Sequence, residues 1–158
     1  MSKKGEVFDP KLSIELIPQT AWYSNLRSHL TNAAWDKVRK KCYKIANYKC
    51  EICGDSGLNQ GFPHPVECHE VWRYDDENNK QYLIRLIALC PLCHQVKHAG
   101  LALLNGQRET VINQLVKVNE ISKQKAAAYL TKSFKIWEER NKVEWKTDVD
   151  YLKTYLKD

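Results

Sequence analysis

Residues 89–98 read Leu89-Cys90-Pro91-Leu92-Cys93-His94-Gln95-Val96-Lys97-His98, and the reading of the whole chain turns on them. Proline fixes φ near its helical value and lacks the N–H that a first helical turn leaves unused. Pro91 therefore opens a helix, with Cys90 just outside it and Gly100 near its end. His94 and His98 are spaced i and i+4, so their imidazoles share one face. Cys93 points to a neighbouring face. One short segment thus offers sulfur and nitrogen ligands in different directions.

Upstream, Cys50-Glu51-Ile52-Cys53-Gly54 is a second Cys-x-x-Cys turn, and Gly54 permits its tight bend. Thirty-six residues separate the two pairs. Each pair can present two thiolates to one ion, and four soft ligands in a tetrahedron suit structural zinc. Cys50, Cys53, Cys90 and Cys93 are therefore expected to hold Zn2+. A knuckle followed by a helix-borne pair looks like a treble-clef finger. The bland alternative is a redox dithiol or a set of buried thiols. Six cysteines in a secreted miniprotein would suggest disulfides, whereas two Cys-x-x-Cys pairs in a reducing compartment point to a metal.

Between the pairs, Val66-Glu67-Cys68-His69-Glu70-Val71-Trp72 alternates weakly and suits a strand. Tyr74 to Lys80 is polar and reads as a loop, with Asp75 and Asp76 as plain loop acids. Leu86 to Leu89 suits a short strand. Two strands and a helix can bring His69, Glu70, His94 and His98 together. A second divalent ion (Mg2+, Mn2+, Ni2+ or Zn2+) could then bind at His94 and His98 without competing for the thiolates.

Taken in order, Cys50-x-x-Cys53, the His69 strand and the Cys90–His98 block resemble an HNH endonuclease with a ββα-metal fold, over about residues 48–100. The resemblance implies a metal-dependent phosphodiesterase acting on DNA. In that family one divalent ion binds the scissile phosphate and stabilises the leaving 3′ oxygen. A histidine on the first strand activates water, leaving a 5′ phosphate and a 3′ hydroxyl. His69 is the expected base, which puts Cys68 in the ligand slot before it. Alternatively His69 is a ligand and Glu70 the base. The family also has a central asparagine that orients the base. Here Arg85 stands nine positions before His94, and an arginine can grip phosphate but cannot accept a hydrogen bond. Asn78 and Asn79 are possible substitutes.

Around this core the chain is ordinary. Its 158 residues are 43% hydrophobic and 28% charged, a balance that supports one globular domain without staples. The net charge of +6 suggests an anionic partner. Lys37, Arg39, Lys40, Lys41, Lys44 and Lys49 follow one another with no acid between them. Trp35, Val38, Cys42, Ile45 and Ala46 recur at helical spacing, so this run flanks the apolar stripe of a helix capped by Thr31 or Asn32, with Asp36 in its first turn and Cys42 a buried thiol. Lys37, Lys40, Lys41 and Lys44, with Arg85 and Lys97, are the candidates for binding nucleic-acid phosphates. Asp9-Pro10 and Ile17-Pro18 break regular structure, so residues 1–30 read as an arm pinned by Trp22, Tyr23 and Leu26. Beyond 108 the pattern is helical: Glu109 to Val118, then a helix capped by Ser122 running past Trp137 towards Trp145, then a short helix capped by Thr147.

The expected architecture is therefore α+β and mostly helical, a single domain over residues 1–158. A treble-clef or ββα-metal zinc core with its basic helix (31–107) lies between the arm (1–30) and a C-terminal helical extension (108–158). Met-Ser-Lys-Lys-Gly-Glu-Val carries no apolar run, and runs such as Leu86–Leu89 are far too short to span a bilayer, so a soluble, cytoplasmic protein is expected. Two other functions fit the same residues. One is a zinc nucleic-acid-binding module without catalysis. The other is an interaction protein using Trp137, Trp145, Tyr151 and Tyr155.

Overall fold

A computed structural model describes residues 8–24 and 26–157. Helix α1 (Asn32–Ile45) is followed by the hairpin β1 (Glu67–Asp75) and β2 (Lys80–Leu89). Four helices come next: α2 (Pro91–Lys97), α3 (Ala99–Leu104), α4 (Arg108–Asn119) and α5 (Lys123–Arg140). A short strand β3 (Lys146–Asp148) and helix α6 (Tyr151–Tyr155) close the order. The class is α+β and mostly helical, with one three-stranded sheet in the order β1-β2-β3. No described helix is long and apolar enough to cross a membrane.

Local chemistry sets several ends. Thr31 caps α1, its hydroxyl accepting from the Ala34 N–H. Asp36 lies beyond the first turn and instead binds Arg39 at 2.8 Å. Ser122 caps α5 through the Lys125 N–H. Cys90 is the N-cap of α2 and Pro91 its first residue. The chain then breaks at His98 (φ −106°, ψ 46°) before α3 begins.

The hairpin is longer than the sequence suggests. Tyr74 and Asp75 continue β1, and Lys80 already belongs to β2, pairing with Asp75. Asp75 holds the turn by accepting from the Glu77 and Asn78 N–H groups. Polar residues extend strands here because this end of the hairpin is only half-buried. β3 pairs parallel to the outer start of β2, from Lys80↔Lys146 to Tyr82↔Asp148, and covers backbone that would otherwise be a bare edge. That pairing also explains why α5 stops at Arg140. The chain turns back there, and Trp145 packs edge-on to Tyr74 at 5.2 Å. Thr147 lies in β3 and caps nothing; Asp150 precedes α6.

The two faces of the hairpin carry two separate cores. Ile87 and Leu89 pack with Val96, Val111, Leu115 and Leu130 from the later helices, and with Leu12 and Ile14 from the N-terminal segment. On the other face Leu86 and Ala88 pack with Val38 and Cys42 of α1 and Leu152 of α6. The described part of the segment before α1 is thus built into the core at Leu12 and Ile14 as well as at Leu26, which is fully buried as expected. The side chains of Trp22 and Tyr23 lie outside the described residues.

Between the knuckle and the hairpin, a 3-10 turn (Gly57–Gln60) braces α2. A Cβ on Gly57 would meet the His64 carbonyl oxygen at 2.3 Å and Pro91 Cδ at 2.8 Å. We expect Gly57→Ala to destabilise the metal-loaded protein by about 1–3 kcal/mol, read as a lower denaturation midpoint at unchanged slope. An unchanged midpoint would mean that this contact is not tight.

Candidate metal centres

Cys50 and Cys53 come from the knuckle, where Gly54 has φ +78°. Cys90 and Cys93 come from the start of α2. The Cys53 and Cys90 sulfurs are 3.6 Å apart, and all four sulfurs fall within 4.8 Å of one another. A tetrahedron with metal–sulfur bonds of about 2.3 Å has edges of about 3.8 Å, so the group can hold one metal ion. The Cys53 and Cys93 N–H groups each point at a sulfur at 3.5 Å. Gln114, buried on α4, donates to the Cys93 sulfur at 3.2 Å. These donors neutralise part of the charge of clustered thiolates. The protons are shared unevenly. Hydrogen bonds from Cys90 and then Cys93 hold the Cys50 thiol well below its ordinary value. The Cys50 hydrogen bond, then that of Cys90 and burial, push Cys93 far up. Burial pushes Cys53 to about 12. Four such groups cannot ionise together without a cation among them.

The second cluster lies on the hairpin face that packs against the later helices. His69 stands on β1, cross-strand from Ile87. His94 and His98 come from α2 and its C-terminal boundary. Ring centroids lie 4.8 to 5.5 Å apart, and one nitrogen from each ring falls within 4.8 Å of the others. Three imidazoles can hold a metal ion. Burial favours the neutral form of His69 and His98, which leaves lone pairs free for coordination. His98 is held down to about 3 by burial, then by His94 and His69. Burial also lowers His69, against the pull of Glu15. The Nδ1 atom of His69 is buried with no partner, as expected of an atom reserved for a ligand.

Two carboxylates back the rings. Glu67 accepts from His94 Nδ1 at 2.9 Å, and its other oxygen meets His64 Nε2 at 2.8 Å. The His94 bond holds the Glu67 carboxyl below its ordinary range. Fixing His94 at Nδ1 turns its Nε2 lone pair to the cluster. Glu15 meets His69 Nε2 at 3.3 Å and forms an ion pair with Lys97. Burial opposes ionisation of Glu15, but His69 and Lys97 outweigh it and hold the carboxyl at about 2.

Several residues singled out from the sequence lie elsewhere. Glu70 is on the opposite face of β1, where it accepts from the Leu26 N–H at 3.2 Å, so it is not beside His69 as a base. Strand alternation puts Cys68 on that face too, hydrogen-bonded to Cys42, so it fills no ligand slot beside the histidines. Arg85 is largely exposed and pairs with Glu51 at 3.5 Å. Asn78 and Asn79 sit at the far hairpin end, roughly 20 Å along the strand. Lys97 is 2% exposed and donates to Glu15 and Ser13; it offers nothing to a phosphate. Lys41 reaches the Tyr155 carbonyl and covers its ring. Lys37, Lys40 and Lys44 are exposed as expected, but on α1, which packs against the hairpin face away from the histidines.

Glu67 was legible: two residues from His69 on a strand, it must share the same face. Glu15 left no local sign, being 54 positions from the ring it touches. Scanned against protein-family models, curated proteins and solved structures, the chain matches none.

The two clusters should titrate separately. The cysteine group is expected to retain one metal ion through purification, and Cys90→Ser to lose it together with cooperative unfolding. His94→Ala with His98→Ala should keep that ion and abolish a second, weaker binding event in calorimetry. Loss of both events in the histidine variant would mean that the clusters are one unit.

Proposed function

We propose that the chain is a metal-dependent nuclease of the HNH kind, hydrolysing phosphodiester bonds in nucleic acid, DNA in the first instance. The cysteine cluster is read as a structural zinc site, and β1, β2 and α2 as a ββα-metal core. The observation that carries this reading is the convergence of His69, His94 and His98 into one cluster, with His94 following the cysteine-cluster residue Cys93 directly on α2.

His94 and His98 would hold the catalytic divalent ion, with Glu67 fixing His94 from behind. That ion, when bound, supplies Lewis-acid stabilisation of charge developing on phosphate oxygens. His69 accepts a proton at Nδ1 from the attacking water, as a neutral, buried imidazole is able to do. Val71 of β1 and Leu92 of α2 pack against the apolar core that these elements share. The exposed Lys37, Lys40 and Lys44 extend a binding surface on the far side of the hairpin, one that a bent or wrapped duplex could reach.

A second reading has its own support. None of the six basic candidates is free beside the histidines: four lie on α1, Arg85 pairs with Glu51, and Lys97 is buried against Glu15. A module that binds nucleic acid through α1 without cutting it fits that distribution. The interaction-protein reading is weakened, because Trp145 is buried and Trp137, Tyr151 and Tyr155 are all partly buried.

The test is nicking of supercoiled plasmid with magnesium, manganese or nickel. His69→Ala should slow nicking by about 100- to 10,000-fold with the cysteine-bound metal retained. Equal nicking by wild type and His69→Ala would remove His69 from the chemistry. No nicking with any ion, together with salt-sensitive DNA binding lost on neutralising Lys37, Lys40 and Lys44, would favour the binding module.

A further inference from the structure

We infer that Glu15, from the segment ahead of α1, is a positioning residue that places the ring proton of His69 on Nε2 and leaves Nδ1 free to accept. The inference deepens the nuclease reading and rests on it for its catalytic consequence alone.

A carboxylate can only accept hydrogen bonds. The 3.3 Å contact between Glu15 Oε1 and His69 Nε2 therefore requires a proton on Nε2. A neutral imidazole carries one ring proton, so Nδ1 bears the lone pair. Nδ1 is also the ring atom that is buried without a partner. Both ring nitrogens are thereby accounted for, one by Glu15 and one by whatever the site is built to receive.

Glu15 is itself held by two side chains besides His69. Lys97, on the same helix as His94, donates to Glu15 Oε2. Ser13 donates to that oxygen at 2.9 Å, and Lys97 reaches Ser13 at 2.7 Å. The adjoining backbone is fixed as well. Ile14 N–H donates to the Tyr129 hydroxyl at 2.9 Å, and Leu12 exchanges two bonds with the Asn119 side chain. A contact anchored this firmly does more than fill space. It aims one carboxylate oxygen at one ring nitrogen, and a buried lysine ensures that the oxygen is charged.

Removing Glu15 alone would leave Lys97 buried and unpaired, which threatens the fold. The informative pair is therefore Glu15→Gln/Lys97→Met and Glu15→Ala/Lys97→Met. Neither carries a buried charge, and only the first keeps an acceptor for Nε2. The first measurement is the imidazole 15N spectrum of the zinc-loaded, full-length protein, assigned through His69→Gln. We expect a His69 Nε2–H that is protected from exchange in wild type and in the glutamine variant, and unprotected in the alanine variant. A wild-type His69 protonated on Nδ1, or protection that survives in the alanine variant, overturns the inference.

The second measurement is nicking. Glu15→Gln/Lys97→Met should cut about 10- to 100-fold faster than Glu15→Ala/Lys97→Met at equal metal content and melting temperature. Equal rates would deny Glu15 its positioning role. Should wild type not nick at all, the nuclease reading fails, while the 15N spectrum still decides the tautomer.

Discussion

Each step along an α-helix turns the side chain by about 100°, and that rotation separates the two ligand sets carried by α2. Cys93 and His94 are neighbours in sequence, yet they point about a quarter-turn apart. His98, four residues on, returns to within about 40° of His94. The N-cap position of Cys90 frees its side chain to turn back to the Cys93 N–H. Seven helical residues and their two flanks therefore supply half of one metal cluster and two-thirds of the other. The rest of the fold follows from that economy. The knuckle must approach the start of α2, and the hairpin must pass beside its middle. The Glu51 N–H bond to the Ala88 carbonyl at 2.9 Å, with the Ala88 N–H bound to the Glu51 carboxylate, ties knuckle to hairpin.

The hairpin performs a second sorting. Alternation along β1 sends Glu67 and His69 to one face and Cys68 and Glu70 to the other. The register fixes this, since His69 opposes Ile87 and Cys68 opposes Ala88, and those two partners belong to different cores. A slip of one residue would move every one of these groups to the wrong side. The sequence leaves His69 and Glu70 as alternatives; the register puts them on opposite faces, and His69 is the one that lies with His94 and His98. Two faces with two cores also explain why a basic helix close in sequence to the knuckle ends up across the sheet from the histidines.

What was legible in the sequence is what local geometry dictates. The Thr31 cap, the Gly54 bend, the Pro91 start and the i, i+4 histidines each depend on a few adjacent residues. The hairpin is longer than the pattern predicts because half-exposed strands carry polar residues, and Tyr74 to Lys80 reads as a loop unless β3 lies alongside. Lys97 misled for a related reason. A lysine in a basic chain is ordinarily solvated, and only a carboxylate from far away allows it to be buried. Glu15 was invisible because nothing near it in sequence hints at a ring 54 residues on. Burial of charge is a property of pairs, and the members of this pair are 82 positions apart.

That pair also limits how the histidine cluster can be approached. His69 is 2% exposed, while the His94 side chain is 21% exposed. Leu12 to Leu16 lie over the His69 side, anchored through Asn119 and Tyr129 to α4 and α5. The cluster is bordered by Glu67 and His64 on the His94 side and by an apolar cavity lined by Leu16, Leu101, Phe134 and Trp137 on the His98 side. Under the proposed nuclease reading, an ion at His94 and His98 would sit at the less buried part of the cluster and a base at His69 at the more buried part. The Glu15–Lys97 pair closes the His69 side of the cluster. It also makes the segment before α1 part of the centre: without Glu15 the dry wall would contain an uncompensated lysine, and an imidazole with no fixed tautomer.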